Sequence, residues 1–298
     1  MTTSPTGFTV RNRIVPDWLI ALLLFGLAFI PRVLALDAYV ATDEAKWILR
    51  SAHFFASLRS GDFSAAASQI ATPEVEVLAP AVTTMWSGAA GLLTKYWVDG
   101  IAAPLDDFLA ALPYDNPALV SLGFYPWLRL PTVLITSLFV AGFYLLVSRL
   151  LRNRPVALSA AILLALDPFF VNYSRVIHHD ALVTVFTVTS LLTFMVFVEH
   201  QRFKWLALSG VMLGLALLTK PTALILLTVV GLMLLWQIYR EREWRWLAWG
   251  AAWTGIGLLT FWLCGRRCGR SRSARWGGWR KPHPPAPPAT ATVACCPT

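Results

Sequence analysis

The sequence predicts an all-α protein, a polytopic transmembrane helical bundle of about seven membrane helices with one large polar loop on the outer side. Hydrophobic residues make up 57% of the 298 residues and charged residues only 14%, whereas a soluble domain carries about 25% charged residues. The mean hydropathy is +0.60. The apolar residues also fall in runs of roughly 15–20, the length of helix that crosses a bilayer. Together these features exclude an ordinary soluble domain.

Seven apolar runs follow one another along the chain. The first run is interrupted by Pro31 and Arg32. The third and fifth runs are short for a membrane span at about 1.5 Å per residue, but tight polar turns join them to their neighbours and favour short spanning helices. The runs are residues 18–36, 128–151, 156–171, 181–198, 205–218, 223–239 and 247–263.

The cations between the runs predict the orientation of the bundle. If the runs alternate in direction, ten lysines and arginines lie on one side, and cytoplasmic loops are enriched in such cations. The loop of residues 37–127 holds ten carboxylates and four cations, so we expect it to lie outside. The ten inner cations are Arg11, Arg13, Arg149, Arg152, Arg154, Arg202, Lys204, Arg240, Arg242 and Arg245.

Two stretches of this outer loop have the periodicity of amphipathic helices. Residues 44–59 carry an apolar stripe that includes Trp47, and residues 82–97 carry another that includes Met85. Apolar residues at three- and four-residue spacing indicate a helix with one buried face. Beside a bilayer, Trp-bearing helices of this kind lie in the membrane interface. The alternative is a small lid that packs without lipid contact.

The last segment, residues 264–298, differs in composition from residues 1–263, the predicted transmembrane domain. It holds seven cations, no acidic residue and all four cysteines, Cys264, Cys268, Cys295 and Cys296. The cysteine spacing matches no zinc pattern, and the Pro-Ala-Thr composition predicts disorder. No aromatic stacking module accompanies the arginines, so we expect no nucleic-acid partner.

Polar residues from three separate segments meet the outer membrane boundary. Asp43 and Glu44 follow the first run, residues 173–180 join the third and fourth runs, and Lys220 lies between the fifth and sixth. Ionisable groups at this depth are costly and usually mark a site. Arg175 and Lys220 are cations on the face where cations are scarce. With the carboxylates, they predict an acid–base site that binds an anionic lipid headgroup.

Each of these polar residues also has a structural interpretation. Asp43 would cap the helix that begins after it. Arg175 and Asp180 would form an ion pair, and Lys220 would extend from a helix end towards the interface. The histidine pair at 178–179 is predicted to lie in a solvated turn rather than on a metal ion.

At these residues the chain resembles the GT-C fold glycosyltransferases, specifically the protein O-mannosyltransferases and bacterial relatives that include the aminoarabinose transferases. Those enzymes carry an Asp-Glu pair shortly after the first membrane helix, which Asp43-Glu44 matches. Their Ser-Arg-x-Ile-x-x-Asp element matches residues 174–180, and their Leu-Gly-Leu-Ala-x-x-x-Lys element matches residues 213–220. Order, spacing and topology agree over residues 17–263.

The resemblance implies an enzyme that transfers a sugar, with inversion, from a polyprenyl-phosphate donor to an acceptor hydroxyl on protein, lipid or glycan. On this scheme Asp43 takes the hydroxyl proton with Glu44 as helper, and neither a cofactor nor a metal ion is needed. The lipid phosphate needs cationic partners. The residues implied in binding the lipid phosphate or the sugar are Arg175, Asp180, Lys220 and His179.

Two departures from the family pattern bear on activity. Related sequences often have His-Pro where this chain has Ala79-Pro80, and they have about eleven or more membrane helices. With the unusual tail, these departures predict an incomplete enzyme whose last segment comes from a shifted reading frame; a genuine disordered tail is the alternative.

Two other functions stay open. A transporter or flippase for lipid-linked sugars would use the same cations without a base, and an inactive remnant would use neither.

Overall fold

The computed structural model of the chain describes residues 15–62, 81–114 and 119–266. Each of the seven predicted apolar runs is helical there. The predictions for Ala79-Pro80 and for the tail beyond residue 266 concern residues outside this part. The helices are α1 (Asp17–Val33), α2 (Glu44–Arg59), α3 (Val82–Val98), α4 (Leu105–Ala110), α5 (Tyr125–Leu151), α6 (Arg154–Leu166), α7 (Pro168–Ser174), α8 (His179–His200), α9 (Phe203–Thr219), α10 (Ile225–Glu241) and α11 (Arg245–Arg266), with 3₁₀ turns at Leu122–Phe124 and Pro221–Leu224.

Fewer than seven helices of the described residues have the length and hydropathy of a full membrane span. Within the described residues, four helical segments are long and apolar enough, and α6 and α7, bent by 56°, add a fifth if they form one span. Helices α1 and α9 have 17 residues each, about 25 Å at 1.5 Å per residue, short of a ~30 Å hydrocarbon core. The chain is therefore an integral multi-pass membrane protein, but seven full spans are not confirmed.

Helix α9 packs closely against both α8 and α11. Gly214 of α9 lies so near α11 that a Cβ atom there would be 2.6 Å from the carbonyl oxygen of Gly257. The buried hydroxyls of Ser190 and Ser209 each donate to the other residue's carbonyl oxygen, at 2.8 and 2.7 Å. Trp253 donates its indole N–H to the Ser209 hydroxyl at 2.8 Å. Small residues and shared polar groups commonly join helices in membranes.

Helices α1, α5 and α6 pack beside this group, and two of the predicted cytoplasmic cations lie at one end of the bundle. Arg154 forms an ion pair with Asp17, the first residue of α1. Arg152 Nη2 lies 2.5 Å from Glu199 Oε1, near the end of α8. Tyr144 of α5 donates to Asp17 Oδ1 at 3.0 Å. The start of α1, the α5–α6 turn and the end of α8 therefore share one end, as the alternating order requires.

The two amphipathic stretches of the outer loop form helices α2 and α3, as predicted. They pack against each other and against α5 around a core that includes Trp47 and Leu128. Helix α3 approaches α5 closely at Gly91, where a Cβ atom would clash with the backbone of Leu128. Trp86 and Trp97 are exposed, and their insertion into the membrane interface stays a prediction.

The start of α3 is bonded to the carboxyl end of α9. The Ala81 N–H donates to the Thr219 carbonyl oxygen at 3.2 Å. The Thr219 hydroxyl donates its single hydrogen to the Leu215 carbonyl oxygen at 2.7 Å. The Thr83 hydroxyl, 2.6 Å from the Thr219 hydroxyl, therefore donates to it. These bonds hold the outer loop next to Lys220.

Candidate active site

The Asp-Glu pair lies where the loop after α1 enters α2. Glu44 is the first residue of α2, and its side chain is fully buried. Its carboxylate accepts two hydrogen bonds from Arg129, at 2.6 and 2.5 Å, and one each from the backbone N–H groups of Ala41 (3.1 Å) and Ile177 (2.9 Å). These bonds use the accepting capacity of the carboxylate. The geometry therefore favours a positioning role for Glu44 over the predicted help in proton transfer.

Arg129 is the other half of this arrangement, and the sequence prediction did not include it. It also donates to the carbonyl oxygens of Leu36 and, at 2.7 Å, Tyr39, so it holds the whole loop after α1. One sequence feature could have identified Arg129, which is a cation in the first turns of an apolar run. Such charges are rarely tolerated in a membrane without a partner or a function. The partner was not evident because Glu44 is 85 residues away.

Arg175 follows α7 and reaches the carboxyl end of α1. Its Nη2 atom donates to the carbonyl oxygens of Leu34 (2.6 Å) and Ala35 (2.8 Å), which the helix end leaves available. Arg175 therefore caps α1. The ion pair with Asp180 that the sequence suggested is replaced by a pair between Asp180 and Lys220.

The Asp180–Lys220 pair joins the start of α8 to the end of α9. Lys220 Nζ lies 2.7 Å from Asp180 Oδ1, and each side chain is about a third exposed. Next to this pair, His179 packs the edge of its ring against Trp47, with centroids 5.4 Å apart. Two of the three predicted polar segments therefore meet in space, and Lys220 binds a carboxylate instead of extending to the interface.

His178 lies near four of the predicted charges, Asp43, Glu44, Asp180 and Lys220. Its Nδ1 atom accepts a 3.4 Å hydrogen bond from the Asp180 N–H and so caps α8. Burial lowers the pKa of His178; Asp180 opposes this shift, Lys220 reinforces it, and Asp43 and Glu44 also oppose it. The three polar segments predicted from the sequence therefore all carry charges near this imidazole.

Asp43 opens onto a pocket of about 260 Å³ between the loop after α1 and the segment after α7. Its side chain is 62% exposed and lies 3.1 Å from Lys46 Nζ. Asp43 occupies the cap position of α2, but its carboxylate makes no capping hydrogen bond, so capping does not account for it. Tyr39 and Asn172 line the pocket and share a 2.7 Å hydrogen bond, and His178 forms part of its wall.

A larger cavity of about 420 Å³ lies at the far end of α2. His53, Tyr114 and the exposed ion pair between Arg59 and Asp106 line it, but none of the predicted site residues does. Exposed pairs of this kind are solvated and screened. The smaller pocket is the better candidate because the exposed Asp43 carboxylate opens onto it.

One group of side chains at the start of α8 has the composition of a metal site. His178, His179 and Asp180 place one potential ligand atom each within 4.8 Å of one another. The sequence showed no metal-ligand spacing, because the three residues are consecutive and belong to a turn and a helix start.

Two comparisons with known proteins bear on this arrangement. Residues 126–262 match a family model described as dolichyl-phosphate-mannose-protein mannosyltransferase. Among solved structures, a chain of the S. cerevisiae protein O-mannosyltransferase Pmt1-Pmt2 complex bound to the sugar donor superimposes over 87% of this chain with a TM-score of 0.62. The chain has the fold of a protein O-mannosyltransferase.

This O-mannosyltransferase fold confirms the GT-C resemblance predicted from the three sequence elements. The sequence identity with the yeast chain is 18%, and the match covers 34% of that chain, so this chain spans about a third of its length. No curated protein matches the sequence. The family match includes Arg129, Arg175, Asp180 and Lys220 and begins after the Asp43-Glu44 pair.

Proposed function

We propose that the chain is a membrane glycosyltransferase that moves a sugar from a polyprenyl-phosphate donor to an acceptor hydroxyl at the outer face of the membrane. The observation that carries this proposal is the pocket beside Asp43. An exposed carboxylate opens into it, and the Asp180–Lys220 pair lies near enough to act on His178 in its wall. The O-mannosyltransferase fold supports this reaction class.

Asp43 is the general base in the proposed reaction. The acceptor oxygen bonds to the anomeric carbon, the bond from that carbon to the phosphate oxygen breaks, and the lipid phosphate leaves with the bonding electrons. Asp43 receives the hydroxyl proton, and attack opposite the leaving group inverts the configuration. Asp43 suits this role because its carboxylate is exposed, whereas the buried Glu44 carboxylate is already bonded to Arg129, Ala41 and Ile177.

Lys220 is the principal cation for the lipid phosphate. Its ammonium group is accessible, and the phosphate replaces Asp180 as its partner, since charge-assisted hydrogen bonds to phosphate are strong. Asp180 then becomes available to accept a hydrogen bond from a sugar hydroxyl, with His179 beside it. Arg175 already donates to Leu34 and Ala35, so it contributes charge and holds the end of α1.

The comparisons suggest the substrates to test first. The family description names dolichyl-phosphate mannose and protein, so the proposed donor carries mannose and the proposed acceptor is a protein hydroxyl, with membrane lipids around the donor. Residues 37–127 hold only four lysines and arginines, and this scarcity supports an outward orientation because cytoplasmic loops are enriched in such residues. In a bacterial plasma membrane, the reaction would take place outside the cytoplasm.

The test is transfer by the full chain in liposomes supplied with labelled polyprenyl-phosphate sugars and a Ser/Thr-containing peptide. We expect labelled peptide and released polyprenyl phosphate. Asp43→Asn should lower the rate about 10²–10⁴-fold, the usual contribution of a general base, and leave donor affinity unchanged. Asp107→Asn, at an exposed position of α4, is the matched control.

The same assay separates the alternatives. Normal turnover by a folded Asp43→Asn protein would contradict the assignment of the base. Donor binding or movement across the bilayer without transfer would instead indicate a transporter or an inactive remnant. Lys220→Ala should weaken donor binding, and Arg175→Ala should weaken it less because its guanidinium is occupied by backbone carbonyls.

A further inference from the structure

We propose that His178, His179 and Asp180 form a transition-metal site at the start of α8, with Zn²⁺ as the ion that its donors fit best, and that Lys220 competes with the ion for Asp180. The transfer reaction described above requires no such ion, so this site would add a second ligand to the same region of the molecule.

The separation of the donor atoms is close to that of a metal site. One ligand atom of each residue lies within 4.8 Å of the others. A tetrahedral ion with bonds of about 2.1 Å holds its ligand atoms ~3.4 Å apart, so the side chains need to converge by up to about 1.4 Å. His178 and Asp180 are partly exposed, which leaves them room for this adjustment.

His179 supplies the observation that points to a ligand. The residue is 8% exposed, and its Nδ1 atom is buried and has no hydrogen-bond partner. Its Nε2 atom lies 3.5 Å from Asp180 Oδ1. A buried polar nitrogen without a partner is costly. An ion bound between the imidazole and the carboxylate would take Nε2, the ring nitrogen that faces Asp180, while Nδ1 would carry the ring proton.

The chemistry of the donors selects the type of ion. Two imidazoles and one carboxylate suit Zn²⁺ and neighbouring transition metals, whereas Mg²⁺ and Ca²⁺ prefer sets of oxygen ligands. Three protein ligands leave a fourth position for water or substrate, the arrangement of an open zinc site. His178 lines the pocket onto which Asp43 opens, so that position is reachable from the pocket.

Lys220 opposes the ion because both need the same carboxylate. The ammonium group lies 2.7 Å from Asp180 Oδ1, and a divalent cation a few ångströms from it would be repelled. Metal binding and the Asp180–Lys220 pair are therefore alternatives. Removing the lysine charge should therefore tighten metal binding. If the lysine only stabilised the local fold, its removal would weaken metal binding instead.

The experiment measures Co²⁺ and Zn²⁺ binding to the full chain, purified in detergent with a tag that contains no histidine. Cys264, Cys268, Cys295 and Cys296 are replaced by serine, since thiolates bind zinc strongly. Visible absorption of Co²⁺ reports the coordination, and calorimetry with Zn²⁺ gives the affinity. We expect one ion per chain, and His179→Ala and Asp180→Asn should each weaken binding about tenfold or more.

Two further variants make the test specific. Lys220→Met should strengthen binding, and His200→Ala, at the opposite end of α8, should leave it unchanged. Size-exclusion profiles and unfolding temperatures confirm that each variant is folded. No saturable binding by the folded chain, or equal binding by the His179→Ala and Asp180→Asn variants, would overturn the proposal. Because the readout is binding and not transfer, its failure would leave the proposed glycosyltransferase reaction untouched.

Discussion

Glu44 and Arg129 form a two-point ion pair in which both side chains are fully buried. The pair joins the start of α2, directly after Asp43, to the first turns of α5. Glu44 also accepts the N–H of Ile177, next to His178. A single buried carboxylate therefore positions both walls of the pocket, and the place of the proposed base depends on it.

Breaking this pair should destabilise the protein strongly. Removing one partner of a buried ion pair costs roughly 3–5 kcal/mol, because the remaining charge is left without a partner. We expect Arg129→Met to lower the free energy of unfolding in detergent by about this amount, and Glu44→Gln/Arg129→Met to cost less than the sum of the single changes. Asp106→Asn, which breaks the exposed pair with Arg59, is the control and should have no measurable effect. An unchanged unfolding midpoint in Arg129→Met would show that the pair does not hold the loop.

The orientation can be tested with single cysteines in a background without the native ones. Ala102 is exposed in the outer loop, and Arg202 is exposed in the turn between α8 and α9. An impermeant thiol reagent added to intact cells should label Ala102→Cys and should label Arg202→Cys only after the cells are permeabilised. The reverse pattern would move the proposed site to the cytoplasmic face.

The contact between α9 and α11 predicts a glycine that cannot be replaced. A Cβ atom at Gly214 would lie 2.6 Å from the Gly257 carbonyl oxygen, a backbone atom that cannot turn away. Gly214→Ala should therefore lower the unfolding temperature. Gly231→Ala in α10, where a Cβ atom meets nothing within 4 Å, should be neutral or stabilising by up to about 1 kcal/mol, because alanine favours helix over glycine. Equal effects of the two substitutions would contradict the close packing.

Stability should fall as the pH is lowered through about 6.5. Burial lowers the pKa of His178 below its ordinary value of 6.5, so the unfolded chain takes up this proton before the folded one, and protonation favours unfolding. Its contribution is fully present above that value and is lost below it. His178→Asn keeps a capping acceptor and should flatten the fall in unfolding temperature between about pH 6.5 and 5.

A residual slope should remain in that variant because burial also lowers the pKa of His53. Adding His53→Asn should reduce it further. If the single variant His178→Asn has the same pH profile as the wild type, the folded protein does not hold this imidazole in its neutral form.

The helices could be predicted because a long apolar run in a membrane must satisfy its own backbone hydrogen bonds, and a helix does so within the run. Their ends were harder to predict, and the number of spans depends on the ends. Asp167 and Pro168 divide the third run into α6 and α7, bent by 56°. This bend and the early end of α1 reduce the number of full spans, although every run is helical.

The site could be located from its motifs but not built from them. Asp43, His179, Asp180 and Lys220 lie in one region, as predicted. Their partners depend on contacts across 40 to 85 residues, which no local pattern encodes. For that reason Arg129 was not recognised, the buried partners of Glu44 were not predicted, and Asp180 pairs with Lys220.

The hydrogen bonds from Ala81 and Thr83 to Thr219 also have a mechanical consequence. Thr219 directly precedes Lys220. The hydrogen bonds therefore connect the first turn of α3 to the backbone that carries the lysine. A displacement of the start of α3 should therefore shift the end of α9, and the reverse should also hold. Proteolytic nicking or tethering of the loop would therefore disturb Lys220 without touching any residue of the pocket.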